Sequence, residues 1–250
     1  VVAWLLRRPL LIHEQNSVPG TTNRLLAPLA WRVLVGFPGS LPARHRPLHT
    51  GNPVRADIAV LPEPGERFRD RAGDLHLLVI GGSLGAQVLN RVVPEAVTRL
   101  PDGLSLQVHH QTGRTDEAAV RERYVALGDA ARVEAFIDDM AAAYAWADLV
   151  VCRAGALTIA ELAAAGLPSI LVPYPHATDD HQTGNARYLV SAGAAVLLPQ
   201  PELNAAALGA ELQRIGGDRG VLLEMATRAR GLARVDAAQQ VAQLCLEAAA

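Results

Sequence analysis

From residue 74 onward, short apolar runs alternate with longer stretches whose apolar positions recur every three or four residues. The apolar runs predict strands at 75–80, 105–109, 132–136, 149–152, 169–172 and 195–198. The stretches between them predict helices near 84–99, 115–126, 139–146, 156–165 and 180–192. This alternation is typical of an α/β fold with a parallel, doubly wound sheet, in which ligands bind beyond the carboxyl ends of the strands.

The pattern before residue 74 is different, and it divides the chain into unequal parts. Residues 1–54 contain apolar runs near 10–13, 32–35 and 48–50, after an opening VVAWLLRR that resembles the end of a helix. This part is too short for a complete α/β domain, so we expect it to be a partial domain that lacks N-terminal sequence. A linker at 51–74, rich in Pro, Gly and charged residues, follows this part, and we assign residues 55–234 to a second domain. A last helix within 235–250 is expected to cross back to the first domain.

Composition excludes several kinds of chemistry. The chain has 250 residues, half of them apolar, as in a soluble globular protein. It contains no lysine, which excludes a P-loop lysine, a lysine Schiff base and a lysine general base. Cys152 and Cys245 have no metal or redox spacing and suggest buried thiols in a reducing compartment.

Charge is distributed unevenly along the chain. Up to Pro53 the balance of Arg over acidic residues is +5, and in the remainder it is −7. Such a basic front end suits a protein that faces an anionic surface or ligand. The alternative interpretation is an arginine-rich surface that only contacts solvent.

The stretch LLVIGGSLGAQVLN, residues 77–90, predicts a strand, a glycine turn and a helix in that order. Gly81 and Gly82 allow a tight turn, and the Ser83 hydroxyl can donate a hydrogen bond while Ser83 caps the helix. Helix N-termini favour anions, so a phosphate or diphosphate is expected here. The pattern is not GxGxxG and no ribose-binding acid follows, which disfavours a nicotinamide cofactor. A plain tight turn is the alternative.

A second helix start lies within VVCRAGALTIAELAAAGLP, residues 150–168. Arg153 and Gly155 make the turn, and Thr158 and Glu161 stand three apart on the helix that follows. A carboxylate at that position could accept hydrogen bonds from two vicinal hydroxyls while the helix start faces a phosphate, which together describe a nucleotide. The alternative is that Thr and Glu only stabilise the first turns.

Further polar groups follow other predicted strands. Gln182 and Asn185 stand three apart at a helix start, where amides could bind sugar hydroxyls. The nearby His and Asp residues match no regular zinc motif, and the chain has no Asp-x-Asp, so no metal site is expected. HEQNS, GNPVR and FIDDM place Asn16, Arg55 and Ile137 near the same edge, the last with its backbone free to read a base.

Together, HEQNS, GNPVR, GGSLGA, FIDDMAAAYAWADLVVCRAGALTIAELAAAGLP and HQTGNA resemble the bacterial peptidoglycan glycosyltransferases that add N-acetylglucosamine (GlcNAc) to lipid I. The resemblance covers essentially the whole chain. It implies a B-type glycosyltransferase fold: two Rossmann-like domains that face each other across a cleft, the N-terminal one incomplete here. The C-terminal domain would hold UDP-GlcNAc, and the N-terminal domain would hold undecaprenyl-diphosphate-MurNAc-pentapeptide (lipid I) at the cytoplasmic face of the cell membrane.

The resemblance also implies roles for individual residues. Arg55 and Ser83 would contact the diphosphate, the Ile137 backbone would read uracil, Glu161 would bind the ribose and Gln182 the GlcNAc hydroxyls. Asn16 would meet the sugar from the acceptor side. The implied substrate-binding set is Asn16, Arg55, Ser83, Ile137, Ala156, Leu157, Thr158, Ile159, Ala160, Glu161 and Gln182. The implied reaction is inverting and gives lipid II without a cofactor or a nucleic-acid partner.

One departure from the family lies at the front of the chain. Family members carry a glycine-rich GGTGGH loop with a candidate base histidine, and neither occurs here. We therefore expect donor binding but impaired catalysis. His13, with Glu14 in support, is the only nearby substitute, and neither is assigned as the base. The alternatives are a noncatalytic UDP-sugar-binding fragment and a related glycolipid or antibiotic glycosyltransferase.

Overall fold

Two parallel sheets organise the protein in the computed structural model, which describes residues 2–6, 8–82, 85–100 and 103–249. The smaller sheet has the order β1-β2-β3 and is formed by Leu11–Glu14, Arg32–Val35 and Leu48–His49. Short helices α1 (Val2–Leu5) and α2 (Thr21–Leu26) accompany it. Its buried face consists of Ile12, Ala27, Val33, Val35 and Leu41. All three strands predicted in this part are therefore confirmed.

The larger sheet has six parallel strands in the order β6-β5-β4-β7-β8-β9. These strands are Leu75–Ile80 (β4), Leu106–Gln111 (β5), Ala131–Glu134 (β6), Leu149–Cys152 (β7), Ser169–Leu171 (β8) and Ala195–Leu197 (β9). The chain proceeds outward from β4 to one edge, returns to β7 beside β4, and proceeds to the other edge. This is the Rossmann order, and its topological switch point lies between β4 and β7.

Helices cover both faces of the larger sheet, as the alternating pattern predicts. They are α5 (Gln87–Val97), α6 (Glu117–Arg123), α7 (Met140–Trp146), α8 (Ala156–Ala165), α9 (His181–Val190), α10 (Ala205–Gly216) and α11 (Arg219–Gly231). One buried cluster joins α5, α6 and α10 to the sheet, and the other joins α7, α8 and α9 to its opposite face. Strands buried on both faces explain the continuous apolar runs in the sequence.

Helices α10 and α11 are not predicted by the sequence pattern. Gly209 interrupts the apolar spacing in α10, and Gly216 and Gly217 separate it from α11. Gly216 is needed for packing, because a Cβ at this position would collide with Leu75 in β4. Glycine normally disfavours a helix, so the tertiary contact outweighs the local preference.

The segment 51–74 is predicted to be a linker, and its part from residue 55 onward folds against the second domain. It contains two one-turn helices, α3 (Ala56–Ala59) and α4 (Pro64–Arg67). Arg71 forms an ion pair of 2.6 Å with Asp148, whose other oxygen accepts from Arg219 at 2.7 Å. Asp148 is fully buried at the base of β7. This ion-pair cluster attaches the linker and α11 to the sheet at the end opposite the loops after β4 and β7.

The last helix, α12 (Ala237–Ala249), is mostly exposed. Where it begins, Ala237 is fully buried and lies close to Gly51, beside β3 of the smaller sheet. The prediction that both cysteines are buried is half wrong: Cys152 is buried in β7, whereas Cys245 is exposed on α12. Among the described helices, none has the length and apolar character that crossing a membrane requires.

Candidate functional site

A cavity of about 1010 Å³ opens at the carboxyl edge of the larger sheet, at the topological switch point. Its wall includes the glycine turn after β4, the turn after β7 and the loop after β8. The polar and glycine residues of this wall are Gly81, Gly82, Gly85, Gln87, Asn90, Arg91, Asp116, Arg123, Arg153, Gly155, Thr158, Tyr174, Gln182 and Gln200. The cavity therefore lies at the edge of the sheet that the sequence predicts, and two separate turns meet there.

Two helices begin at this cavity. Helix α8 follows Gly155, and α5 follows Ala86, and neither N-terminus has a side-chain cap among the described residues. The first amide groups of a helix have no partner within the helix, and the helix dipole adds partial positive charge at this end. Both cavity walls thus favour an anion such as a diphosphate.

Arg153, which the sequence pattern predicts only as part of a turn, adds a positive charge to the cavity wall. Its Nη1 donates to the carbonyl oxygens of Val172 at 3.1 Å and Pro173 at 3.0 Å. Its guanidinium lies 5.4 Å from the centre of the Tyr174 ring. Burial lowers the pKa of Arg153, which nevertheless remains a cation at neutral pH. The signal available in the sequence is an arginine directly after a buried apolar strand.

Gln182, at the start of α9, is held in a fixed orientation. Its Oε1 accepts from the backbone amide of Tyr174 at 2.9 Å and from that of Ala154 at 3.2 Å. Within the part of the chain that the structure describes, its Nε2 group has no partner. Gln182 thus connects the loops after β7 and β8 while its amide nitrogen remains able to donate to a ligand.

Glu161 lies one turn further along α8 than Thr158, outside the wall of the large cavity. Its Oε2 accepts from the hydroxyl of Tyr144 at 3.0 Å, and its Oε1 lies 3.8 Å from Nε of Arg55. Only 20% of the Glu161 side chain is exposed, and burial raises the pKa of its carboxyl group. The structure therefore brings two predicted residues, Arg55 and Glu161, into one charged pair.

Asn16 and Asn185 connect the smaller sheet to the second domain. Asn185 is fully buried, and its Nδ2 donates to Asn16 Oδ1 at 3.2 Å and to the carbonyl oxygen of Ala154 at 3.2 Å. Its Oδ1 accepts from the backbone amide of Ser17 at 2.8 Å. The interpretation of Asn185 as a sugar-binding amide is therefore wrong, because these protein groups use its hydrogen-bonding capacity.

The HEQNS loop, which contains Asn16, is shaped by Glu14. This buried carboxylate accepts from the backbone amides of Asn16 and Gly20 and from Nδ2 of Asn23, at 2.9 to 3.0 Å. His13 instead contacts the Gly51 carbonyl at 3.0 Å. The idea that Glu14 supports His13 as a base is not reproduced: among the described residues, Glu14 bonds to the loop and to Asn23 of α2, and not to His13.

The other predicted residues occupy different surroundings. Ile137 is buried after β6, in the wall of a second cavity of about 500 Å³. Leu157 is half exposed at the start of α8, whereas the Ile159 side chain is fully buried in the core. Ala160 faces the smaller sheet beside Gly51. Ser83 lies outside the described residues.

A buried polar network supports the far end of the large cavity. Asn90 donates to Asp116 at 2.8 Å and its Oδ1 contacts Nε2 of His110 at 3.1 Å. The Nδ1 atom of His110 contacts the Tyr124 hydroxyl at 3.0 Å. Burial lowers the pKa of His110 to about 3, so the ring is neutral at physiological pH. The sequence gives little signal for this network because its members come from three separate elements.

Known protein families and relatives match this chain over the residues that form the site. The family described as "Glycosyltransferase family 28 C-terminal domain" matches residues 76–241, which contain the large cavity. The chain belongs to glycosyltransferase family 28. Two relatives are both named UDP-N-acetylglucosamine--N-acetylmuramyl-(pentapeptide) pyrophosphoryl-undecaprenol N-acetylglucosamine transferase. The protein from Nitrosococcus oceani is 57% identical, over 99% of this chain and 69% of the relative; that from Alkalilimnicola ehrlichii is 56% identical, over 100% and 70%.

The structural comparison agrees with the family assignment. The crystal structure of Acinetobacter baumannii MurG matches with a TM-score of 0.86 and 37% sequence identity. The match covers 98% of this chain and 68% of that one. It extends over both sheets, so the fold of this glycosyltransferase 28 member, including the smaller sheet, is that of a B-type glycosyltransferase. The expected fold class is confirmed.

Proposed function

We propose that this protein transfers GlcNAc from UDP-GlcNAc to the C4 hydroxyl of the MurNAc unit of lipid I, giving lipid II for peptidoglycan synthesis. The relatives named above carry out a transfer of this kind, and they are more than half identical to this chain over nearly its whole length. The reaction forms a bond from the acceptor oxygen to the anomeric carbon while the bond to UDP breaks. A single displacement of this kind inverts the anomeric centre, and a base takes the hydroxyl proton.

The observation that carries the proposal is the cavity at the switch point, where the N-termini of α5 and α8 meet beside Arg153. Negative charge grows on the diphosphate as UDP leaves. Preorganised amide groups and a cation directed at that charge lower the barrier, because they need no reorganisation during the reaction. We place the diphosphate at the two helix starts, where Arg55 and Ser83 are also expected to contribute.

The remainder of the donor is placed as the family resemblance implies. Glu161 accepts from the ribose hydroxyls, and the Ile137 backbone reads uracil at the edge near β6. The Nε2 group of Gln182, fixed through its oxygen by two backbone amides, donates to a GlcNAc hydroxyl. Asn16, on the loop of the smaller sheet that adjoins α9, faces the sugar from the acceptor side.

We place the protein at the cytoplasmic face of the cell membrane, as a peripheral protein. Its acceptor carries an undecaprenyl chain, which remains in the bilayer, whereas UDP-sugars are water-soluble. The basic front part of the chain, with its balance of +5 up to Pro53, suits a surface of anionic lipids.

A transfer assay tests the proposal. The complete gene product is incubated with radiolabelled UDP-GlcNAc and a lipid I analogue, and in parallel with UDP-GalNAc or UDP-glucose, because impaired catalysis is expected of the 250-residue chain alone. We expect labelled disaccharide product from UDP-GlcNAc in preference to the other donors. Transfer only from another donor would contradict the substrate assignment. Binding of UDP-GlcNAc without any transfer would favour the noncatalytic UDP-sugar-binding alternative.

A further inference from the structure

The Glu161 carboxylate is oriented by a tyrosine from a neighbouring helix. The Tyr144 hydroxyl, on α7, donates to Oε2 of Glu161 at 3.0 Å across a separation of 17 residues. The second carboxylate oxygen, Oε1, faces Arg55 at 3.8 Å. One oxygen is thus engaged by a neutral donor, and the other has only a loose contact with a half-exposed guanidinium.

Tyr144 is well suited to fix a neighbour. Only 1% of the residue is exposed, and its ring packs within the cluster that joins α7 and α8 to the sheet. Burial raises the pKa of its hydroxyl well above the ordinary value, so the group remains protonated. An ionised carboxylate can only accept, so the direction of this hydrogen bond is unambiguous.

A free glutamate has several accessible rotamers, and binding would have to select one of them at a cost in entropy. The hydrogen bond from Tyr144 removes most of that freedom before the ligand arrives. It occupies one side of Oε2 and leaves Oε1 for two vicinal hydroxyls once Arg55 turns towards the diphosphate. A residue that holds a binding group in this way contributes to affinity without touching the ligand.

We propose that Tyr144 is a positioning residue that orients the Glu161 carboxylate for the ribose hydroxyls of the donor. This inference rests on the proposed function, because it assumes that Glu161 binds the ribose. In the segment AAAYAWAD, packing on an apolar helix face is sufficient to explain a buried tyrosine. The proposal gives this tyrosine a further role, in ligand binding.

A double-mutant cycle tests the proposal on the 250-residue chain. The dissociation constant for UDP is measured by calorimetry for the wild type, Tyr144→Phe, Glu161→Ala and the double variant. We expect Tyr144→Phe to weaken binding about 3- to 10-fold, as the typical net contribution of a single hydrogen bond suggests. In the Glu161→Ala background the same substitution should have no effect, because no carboxylate remains to be oriented.

A second readout uses 2′-deoxy-UDP. The wild type should prefer UDP over this analogue, and Tyr144→Phe should reduce the preference. If Tyr144→Phe only loosened the packing, binding of UDP and binding of 2′-deoxy-UDP would weaken equally. Tyr188→Phe is the matched control: its hydroxyl donates to the Leu232 carbonyl at 3.0 Å, away from the large cavity, and it should leave both affinities unchanged.

The outcomes separate the two claims. Unchanged UDP binding in Tyr144→Phe, or an equal loss in both backgrounds, overturns the positioning role while the ribose role of Glu161 stands. Wild-type affinity in Glu161→Ala overturns the ribose role, and the positioning role with it. Thermal unfolding of each variant shows whether Tyr144→Phe remains folded at the assay temperature.

Discussion

Asn185 donates a hydrogen bond to Asn16 at 3.2 Å, and this contact joins the start of α9 to the loop after β1. The same amide also contacts Ser17 and the carbonyl of Ala154, which lies within the turn into α8. Three segments from both parts of the chain therefore meet at one fully buried side chain. The loop expected to face the acceptor and the helix expected to face the donor are coupled through it.

Asn185→Ala should lower the free energy of unfolding by about 1–3 kcal/mol, because buried donors and acceptors lose their partners. Urea denaturation measures the change. The control is Gln240→Ala, which removes an exposed amide from α12 and should change stability by less than about 0.5 kcal/mol. Equal effects of the two substitutions would show that the amide of Asn185 does not stabilise the joint.

The sequence predicts the part of the site that depends on local order, and it misses the part that depends on packing. The start of α8 follows from an apolar strand, a turn with Gly155 and a regular helix pattern, all within twelve residues. The pairs Tyr144 with Glu161 and Asn16 with Asn185 depend on how helices pack and how the two parts of the chain meet. A single sequence contains no periodic signal for such pairs.

Helices α10 and α11 illustrate the same limit in the fold. Their starts carry ordinary capping residues: the side chain of Asn204 accepts from Ala207, and that of Asp218 accepts from Gly220 and Val221. The glycines within and between these helices weaken the apolar periodicity. Gly216 is there because Leu75 of β4 packs against it, a reason that only the tertiary structure shows.

Gly85 should not tolerate a side chain. Its φ is +72°, and a Cβ would collide with the carbonyl oxygen of Thr112 at the end of β5. Gly85→Ala should therefore lower the free energy of unfolding by about 1–3 kcal/mol more than the unfavourable backbone conformation alone would. Gly39→Ala provides that baseline, since Gly39 has φ +78° and open space around its Cα. If both variants lowered the free energy of unfolding equally, the predicted cost of the collision would be wrong.

Asp148→Ala should be among the more destabilising single substitutions. It leaves Arg71 and Arg219 without their buried carboxylate partner, and breaking a buried ion pair typically costs about 3–5 kcal/mol. The comparison is Glu117→Ala, which breaks the exposed pair with Arg121 and should cost less than about 1 kcal/mol. Thermal denaturation of both variants provides the test. Similar melting temperatures would contradict a structural role for the cluster.

UDP-GlcNAc affinity should depend on pH through Glu161. Burial raises the pKa of this carboxyl, while Tyr144 and Arg55 lower it and Asp57 raises it. Only the ionised form accepts from both ribose hydroxyls, so affinity should rise as pH increases through the raised pKa and then level off. UDP-GlcNAc is the ligand of choice, because the terminal phosphate of UDP itself titrates at about pH 6 and would add its own pH dependence. Glu161→Gln should remove this rise, and an unchanged pH profile in that variant would contradict the assignment.

Calorimetry of UDP binding to the 250-residue chain, with Glu161→Ala beside the wild type, decides whether the chain holds the nucleotide through Glu161. We expect the wild type to bind UDP and the substitution to weaken binding by about 1–3 kcal/mol, as loss of charge-assisted hydrogen bonds suggests. Glu211→Ala, which removes a partly exposed glutamate of α10 that pairs with Arg214, should bind like the wild type. No UDP affinity in the wild type, or equal affinity in Glu161→Ala, would contradict the account.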